Sequence, residues 1–205
     1  MGPKLVMEFI GTFFLVLVAG LSGNPLAVGA VLTAMVYMGG HISGAQYNPA
    51  VTLAVWLKGA QSGRQSLAYA ATQLMAGTLA ACVYYAIVGQ FMIVAPSPNT
   101  SFGSALLVEM LFTFALASVV LHVAVTKATA GNHYFGLAIG SVVAAGAFVA
   151  GPISGGAFNP AVGLGPLLSH AASLPQHGTQ LALYIIGPLL GAVVAALVYR
   201  NTEKA

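Results

Sequence analysis

Charge is what this chain of 205 residues lacks most. Only six residues are Lys or Arg and three are Asp or Glu, together 4% of the sequence, whereas hydrophobic residues make up 59%. Soluble domains carry about 25% charged residues, so this chain has too few charges to cover a water-exposed surface. We therefore interpret it as an integral membrane protein. Its small net charge of +3 gives no indication of nucleic-acid binding.

Cysteine is nearly absent as well. The single cysteine, Cys82, excludes an intrachain disulfide and any metal site built from several cysteines. Cys82 lies in an apolar stretch, where we expect a buried, unreactive thiol. Four histidines lie near the ends of apolar segments and share no ligand spacing: His122, His133, His170 and His177. The sequence therefore gives no reason to expect a metal site, a cofactor or an enzyme.

Six apolar stretches are long enough to cross a bilayer core, which takes about 17–25 helical residues. The predicted spans are 4–22, 25–41, 64–89, 101–123, 134–151 and 178–200. Two further apolar pieces, 49–57 and 160–168, are too short to cross at about 1.5 Å per residue. We predict half-spans there, in an all-α membrane fold.

The positive charges indicate the orientation of these spans. With six crossings, every Lys and Arg falls on one side of the membrane: Lys4, Lys58, Arg64, Lys127, Arg200 and Lys204. Cytoplasmic loops are enriched in Lys and Arg. We therefore expect a multi-pass protein of the cell membrane with both termini in the cytoplasm.

The chain also contains an internal repeat. Residues 42–51 and 153–162 are identical at seven of ten positions. Three spans and a half-span separate the two copies from each other, so the second copy enters the membrane from the opposite side. Inverted repeats of this kind create a pathway near the bilayer midplane. We predict one channel domain, 1–205, made of repeats at about 1–89 and 101–205.

Each half-span starts with the sequence Asn-Pro-Ala. The two copies are Asn48, Pro49 and Ala50, and Asn159, Pro160 and Ala161. Asn is a preferred N-cap, and Pro suits the first helical position because its missing N–H would have no partner there. We predict that the two asparagines direct amide N–H groups into a lumen and form its narrowing at the midplane.

The segments before these motifs are predicted to be irregular, from Gly40 and from Gly151 onward. Gly44 and Gly155, each four residues before an Asn, allow a sharp turn without a steric penalty. Irregular backbone at membrane depth is tolerated only inside protein or around a water-filled cavity. Each segment therefore predicts half of a pore.

These features resemble the aquaporin, or major intrinsic protein, family over essentially the whole chain. The shared features are six spans, two half-helices, both Asn-Pro-Ala signatures and a glutamate in spans one and four, and the run from Gly40 to Thr52 is especially similar. The resemblance implies the aquaporin hourglass fold, a pore through each monomer and a homotetramer.

Glu8 and Glu109 are the only acids inside predicted spans. An intramembrane carboxylate costs about 2.5–3.5 kcal/mol on insertion scales, so each needs a stabilising role. We expect each to accept hydrogen bonds from the irregular loops, and the resemblance agrees. His41 has two open interpretations: a pH-sensitive or pore-lining residue at the cytoplasmic mouth, or a hydrogen bond that anchors the loop.

The sequence departs from the family after the second signature. Most members have an Arg there, which projects into the selectivity filter, but this chain has Val162. Aligning the chain with the family pattern gives the predicted filter: Val28, Ala147, Gly156 and Val162, with Gly146 or Phe148 as alternatives to Ala147. This filter contains no charged, aromatic or histidine side chain. We expect a wide, mostly apolar constriction unless Phe135 or Tyr37 fills the space.

The sequence thus predicts a passive channel for water and small uncharged solutes, such as glycerol, urea or metalloid hydroxides including arsenite. Its expected partners are these solutes and the lipid bilayer. The alternative is an ion- or proton-coupled secondary transporter, because inverted repeats and broken helices occur there too. Coupling would need titratable groups on the pathway, and the candidates are Glu8, Glu109 and His41. A structural junction role with a closed pore is a third alternative.

Overall fold

The computed structural model describes residues 1–172 and 177–203, and within them the chain forms eight α-helices. They are α1 (Gly2–Ser22), α2 (Pro25–Ser43), α3 (Pro49–Leu57), α4 (Gly63–Val88), α5 (Phe102–Val120), α6 (Phe135–Ser154), α7 (Pro160–Ser169) and α8 (Gly178–Thr202). A π-helical turn, Leu121–Val125, extends α5. Six of these helices are long and apolar enough to cross a membrane. The predicted spans and half-spans are confirmed, with ends within three residues of those expected.

The two halves of the fold make equivalent helix contacts. Helix α1 packs on α2 and α4, just as α5 packs on α6 and α8. Helix α4 contacts α7 as α8 contacts α3, and α2 and α6 pack against each other. Exchanging α1–α4 with α5–α8 therefore leaves the set of contacts among these helices unchanged.

Glycines allow close approach at two places where helices meet. A Cβ at Gly29 of α2 would lie 2.6 Å from the Gly140 carbonyl oxygen of α6. A Cβ at Gly77 of α4 would lie 2.5 Å from the Ala161 carbonyl oxygen of α7. Small residues at such positions let backbones pack directly in membrane helices. The second of these contacts places the half-helix α7 directly against α4.

The irregular loops are shorter than the sequence predicts. The expectation of irregular backbone from Gly40 and from Gly151 is wrong, because α2 and α6 continue up to the residue before Gly44 and Gly155. Gly44 and Gly155 adopt left-handed φ angles of 89° and 88°. Their N–H groups donate to the Gly40 and Gly151 carbonyl oxygens at 3.0 and 3.1 Å, which closes the helix ends.

Cys82 is exposed on the outward face of α4, so the expectation of a buried thiol is wrong. Its neighbours Ala80 and Ala81 form part of the buried stripe of this helix, with 0% and 1% exposure. Since a thiol behaves as a small apolar group, an outward position on a membrane-spanning helix is compatible with its chemistry.

Helix crossing at Gly140 gives the first prediction. A Cβ there would overlap the Gly29 carbonyl oxygen and the Thr33 hydroxyl. We expect Gly140→Ala to lower the free energy of unfolding by about 1–3 kcal/mol through overpacking. The measurement is thermal unfolding in detergent followed by circular dichroism. The control is Gly103→Ala in α5, where a Cβ would have no atom within 4 Å, and equal losses in both variants would contradict the prediction.

Candidate functional site

The two half-helices are capped by the asparagines of the Asn-Pro-Ala sequences. Asn48 Oδ1 accepts the Ala50 N–H at 2.8 Å, and Asn159 Oδ1 accepts the Ala161 N–H at 2.9 Å. Both asparagines have extended backbone, with φ of −156° and −153°, as N-cap residues do. The caps fix the orientation of both carboxamides.

Reciprocal hydrogen bonds join the two loops at the middle of the bundle. Asn48 Nδ2 donates to the Phe158 carbonyl oxygen at 2.9 Å. Asn159 Nδ2 donates to the Tyr47 carbonyl oxygen at the same distance of 2.9 Å. Because a primary amide carries two N–H groups, each asparagine keeps a second N–H group that these two bonds do not use.

The half-helices themselves meet near these asparagines. Helix α3 begins at Pro49, helix α7 begins at Pro160, and the two helices contact each other. The N-terminal end of a helix carries a partial positive charge. Two such ends therefore face the same region inside the bundle.

Glu109 supports the loop that precedes α7. Its Oε1 accepts the Ser154 hydroxyl at 2.7 Å and the Ala157 N–H at 3.0 Å. Its Oε2 accepts the Phe158 N–H at 2.7 Å. The side chain is fully buried at 0% exposure. The carboxylate therefore replaces the partners that these loop groups would find in a regular helix.

Glu8 supports the loop before α3 in the same way. Its two oxygens accept the Gln46 N–H at 3.0 Å and the Tyr47 N–H at 2.7 Å. The Ser43 hydroxyl donates to it at 2.7 Å, and Gln73 Nε2 adds a bond at 2.9 Å. The sequence analysis missed Gln73, although an amide in the interior of a long apolar span is itself a signal of a buried polar partner.

A cavity of about 430 Å³ extends from Asn24, in the α1–α2 connection, to both capping asparagines. The residues at all four predicted filter positions line it: Val28, Ala147, Gly156 and Val162. Among the described residues of its wall there is no Asp, Glu, Lys, Arg or His. The cavity is therefore uncharged along its whole length.

The alternative filter residues lie outside this cavity. Phe148 is 53% exposed on the outer surface. A Cβ at Gly146 would contact the Phe112 and Phe158 rings at 3.0 Å, so this position faces the packed interior. Of the three candidates in α6, only Ala147 contributes to the cavity wall.

The aromatic residues considered as space fillers also stay outside. Tyr37 and Phe135 pack edge to face, with ring centroids 5.2 Å apart. The Tyr37 hydroxyl donates to the His133 carbonyl oxygen at 2.9 Å. Neither ring belongs to the cavity wall, so neither narrows the predicted filter.

His41 is exposed in the last turn of α2. It lines neither the large cavity nor a second cavity of about 320 Å³ that opens near Lys4. The structure therefore places His41 outside the walls of both cavities. In the described part of the chain, no group of three or more His, Cys, Asp or Glu side chains could hold a metal ion.

Six crossing helices, two half-helices that meet inside them and an uncharged cavity leading to their junction define a membrane channel. Its sequence agrees with this class: a family model described as "Major intrinsic protein" matches residues 18–199. The chain belongs to the major intrinsic protein family.

Related proteins come from distant organisms. The chain is 36% identical to "Aquaporin NIP1-4" of Oryza sativa subsp. japonica, over 95% of this chain and 75% of the relative. It is 32% identical to "Aquaporin AqpM" of Methanothermobacter marburgensis, over 96% of each. The X-ray structure of the aquaglyceroporin from Plasmodium falciparum has a TM-score of 0.80 at 22% identity and covers 99% of both chains. That likeness shows the shared fold.

The carboxylate at Glu109 gives the second prediction. In Glu109→Gln an amide NH₂ replaces one acceptor oxygen, so a backbone N–H of the loop loses its partner. Leaving a buried group unsatisfied costs about 1–3 kcal/mol. We therefore expect lower thermal stability and a lower water permeability per folded protein. Glu203→Gln, at an exposed acid after α8, is the matched control, and wild-type stability and permeability in Glu109→Gln would contradict the role given to the carboxylate.

Proposed function

We propose that this chain is a passive channel for water and small uncharged solutes, with its selectivity filter at Val28, Ala147, Gly156 and Val162. The observation that carries the proposal is the uncharged cavity that reaches the two capping asparagines past these four residues. Family membership makes the chain a channel and not an enzyme. Its relatives are named aquaporins and its structural neighbour an aquaglyceroporin, which supports water and glycerol as solutes.

The filter composition favours solutes larger than water. Pore diameter, lining donors and electrostatic barriers set selectivity in such channels. An Arg at position 162 would fill more space than Val162, supply five hydrogen-bond donors and repel cations. The Val162 side chain has no hydrogen-bond donor and no charge. Glycerol, urea and undissociated metalloid hydroxides such as arsenite are the solutes that a wide, apolar filter accepts.

A coupled transporter is the less supported function. Coupling needs a titratable group that the solute or ion reaches, but Glu8 and Glu109 are 0% exposed and line neither cavity. Their oxygens are occupied by loop donors. His41 is also off the pathway, so the geometry favours passive conduction.

The proposal also covers the domain organisation and the assembly of the chain. The chain is one channel domain, 1–205, formed by inverted repeats at about 1–89 and 101–205, and four copies assemble as a homotetramer. Support for the repeats comes from the equivalent helix contacts of the two halves, and support for the tetramer comes from the family resemblance. Light scattering of the purified protein in mild detergent tests the oligomer.

Both termini lie in the cytoplasm and the chain resides in the cell membrane. The support is the gathering of cations at one end of the bundle. Lys58 Nζ lies 2.6 Å from the Tyr199 hydroxyl, and Arg200 donates to the Leu57 carbonyl oxygen. Lys204, which also counts toward this charge pattern in the sequence, lies outside the described residues. Protease access to tags at both ends, in sealed vesicles of known orientation, tests the topology.

The decisive experiment is a stopped-flow comparison of solutes in liposomes that contain the purified chain. Water, glycerol, urea and arsenite are each presented as an osmotic or concentration step. We expect water and at least one larger solute to cross faster than in protein-free liposomes. Permeability equal to that of empty liposomes for all four solutes would contradict the proposed function.

Val162 gives the third prediction. We expect Val162→Arg to lower glycerol flux severalfold and water flux much less, because the guanidinium narrows the passage and supplies donors that water can use. Val162→Leu adds bulk without charge and is the matched control, with an expected effect between wild type and Arg. Stopped-flow light scattering measures both solutes, and an unchanged glycerol flux in Val162→Arg would mean that the narrowest point lies elsewhere.

A further inference from the structure

Two cavities in the bundle have two described wall residues in common. The larger cavity runs from Asn24 to the capping asparagines, and the smaller one opens beside Lys4. Their walls have Gln46 and Val120 in common. These two residues therefore lie where the two cavities adjoin.

Gln46 is held in place by a second glutamine. Its backbone N–H is bound by the Glu8 carboxylate at 3.0 Å, and its side-chain Nε2 donates to Gln61 Oε1 at 2.8 Å. Gln61 lies in the α3–α4 connection and donates in turn to the Ser66 hydroxyl at 2.8 Å. Only 8% of Gln46 is exposed, so its amide is fixed at the junction of the cavities.

Val120 is positioned by hydrogen bonds in the turn that follows it. It is the last residue of α5, and the π-helical turn that follows is closed by Thr126, whose N–H and hydroxyl both donate to the Leu121 carbonyl oxygen at 3.0 and 2.9 Å. The Thr126 hydroxyl lies 2.8 Å from the Tyr199 hydroxyl, which also accepts a bond from Lys58 Nζ at 2.6 Å. Two residues of the α3–α4 connection, Gln61 and Lys58, therefore hold in place the segments that carry Gln46 and Val120.

We propose that Gln46 and Val120 form a second constriction of the pathway, which determines solute size independently of the filter, and that Gln61 is its positioning residue. This inference deepens the proposed channel function and rests on it. One wall of the constriction is a hydrogen-bonding amide and the other is a branched apolar side chain. A solute hydroxyl that binds the Gln46 amide competes with Gln61, so a large polyol is retarded more than water.

The first test uses two equivalent truncations. Val120→Ala and Val143→Ala remove the same methyl groups, but Val143 lines only the larger cavity. We expect Val120→Ala to raise the ratio of glycerol to water permeability severalfold, and Val143→Ala to leave it close to wild type. Both fluxes are measured by stopped flow in liposomes, with folded protein quantified by size-exclusion chromatography.

The second test separates positioning from simple structural support. Gln61→Glu keeps an acceptor oxygen for Gln46 Nε2, whereas Gln61→Leu removes it. We expect Gln61→Leu to change the glycerol-to-water ratio in the same direction as Gln46→Ala. Gln61→Glu keeps the acceptor but loses the donor to Ser66, so we expect its ratio to lie between those of Gln61→Leu and wild type. A loss of stability alone would reduce both fluxes together and leave their ratio unchanged, which would contradict the positioning role.

These outcomes distinguish the inference from the proposed function. A wild-type chain that conducts water and glycerol, with the same ratio in Val120→Ala, overturns the second constriction and leaves the channel intact. A wild-type chain that conducts none of the tested solutes overturns the proposed function and the constriction with it.

Discussion

Irregular backbone cannot remain in the middle of a membrane unless its polar groups have partners, and the whole structure depends on meeting this requirement. Glu8 and Glu109 bind the loop N–H groups at 2.7–3.0 Å, and the amides of Asn48 and Asn159 bind the loop carbonyl oxygens at 2.9 Å. A buried carboxylate is unfavourable in lipid unless it is fully hydrogen-bonded. The two glutamates and the two loops therefore stabilise each other, and neither would be stable alone.

This scaffold leaves selectivity to a small number of side chains. The cavity wall is uncharged, so the positive ends of α3 and α7 supply its fixed electrostatic field. In the proposed function Val162 lies in the filter, so size discrimination passes to whichever narrowing remains. Gln46 and Val120 line both cavities, whereas the four predicted filter residues line only the larger one.

Much of this fold is predictable from the sequence because a lipid bilayer restricts which segments can cross it. Hydropathy locates all six spans, and two short apolar pieces headed by Asn-Pro locate the half-helices. The predictions are wrong where tertiary contacts determine the local structure. The helices run on to Gly44 and Gly155 because these glycines close them in a left-handed conformation, and Cys82 turns outward because its alanine neighbours fill the buried stripe.

The candidate site was predictable only in part, for the same reason. Each asparagine cap follows from local sequence, but the bonds between the halves join residues about 110 positions apart. The pairing of Gln46 with Gln61, and the positions of Gln46 and Val120 on the walls of both cavities, depend on how loops and helix ends are placed in space. No periodicity in the sequence encodes these arrangements.

Passive conduction is the central claim, and an accumulation experiment tests it most directly. Liposomes containing the purified chain receive radiolabelled glycerol together with an imposed proton gradient, with and without a proton ionophore. The account predicts that internal glycerol rises to the external concentration and no further, at a rate that the ionophore does not change. Accumulation above the external concentration that collapses when the ionophore is added would contradict it and would indicate a coupled transporter.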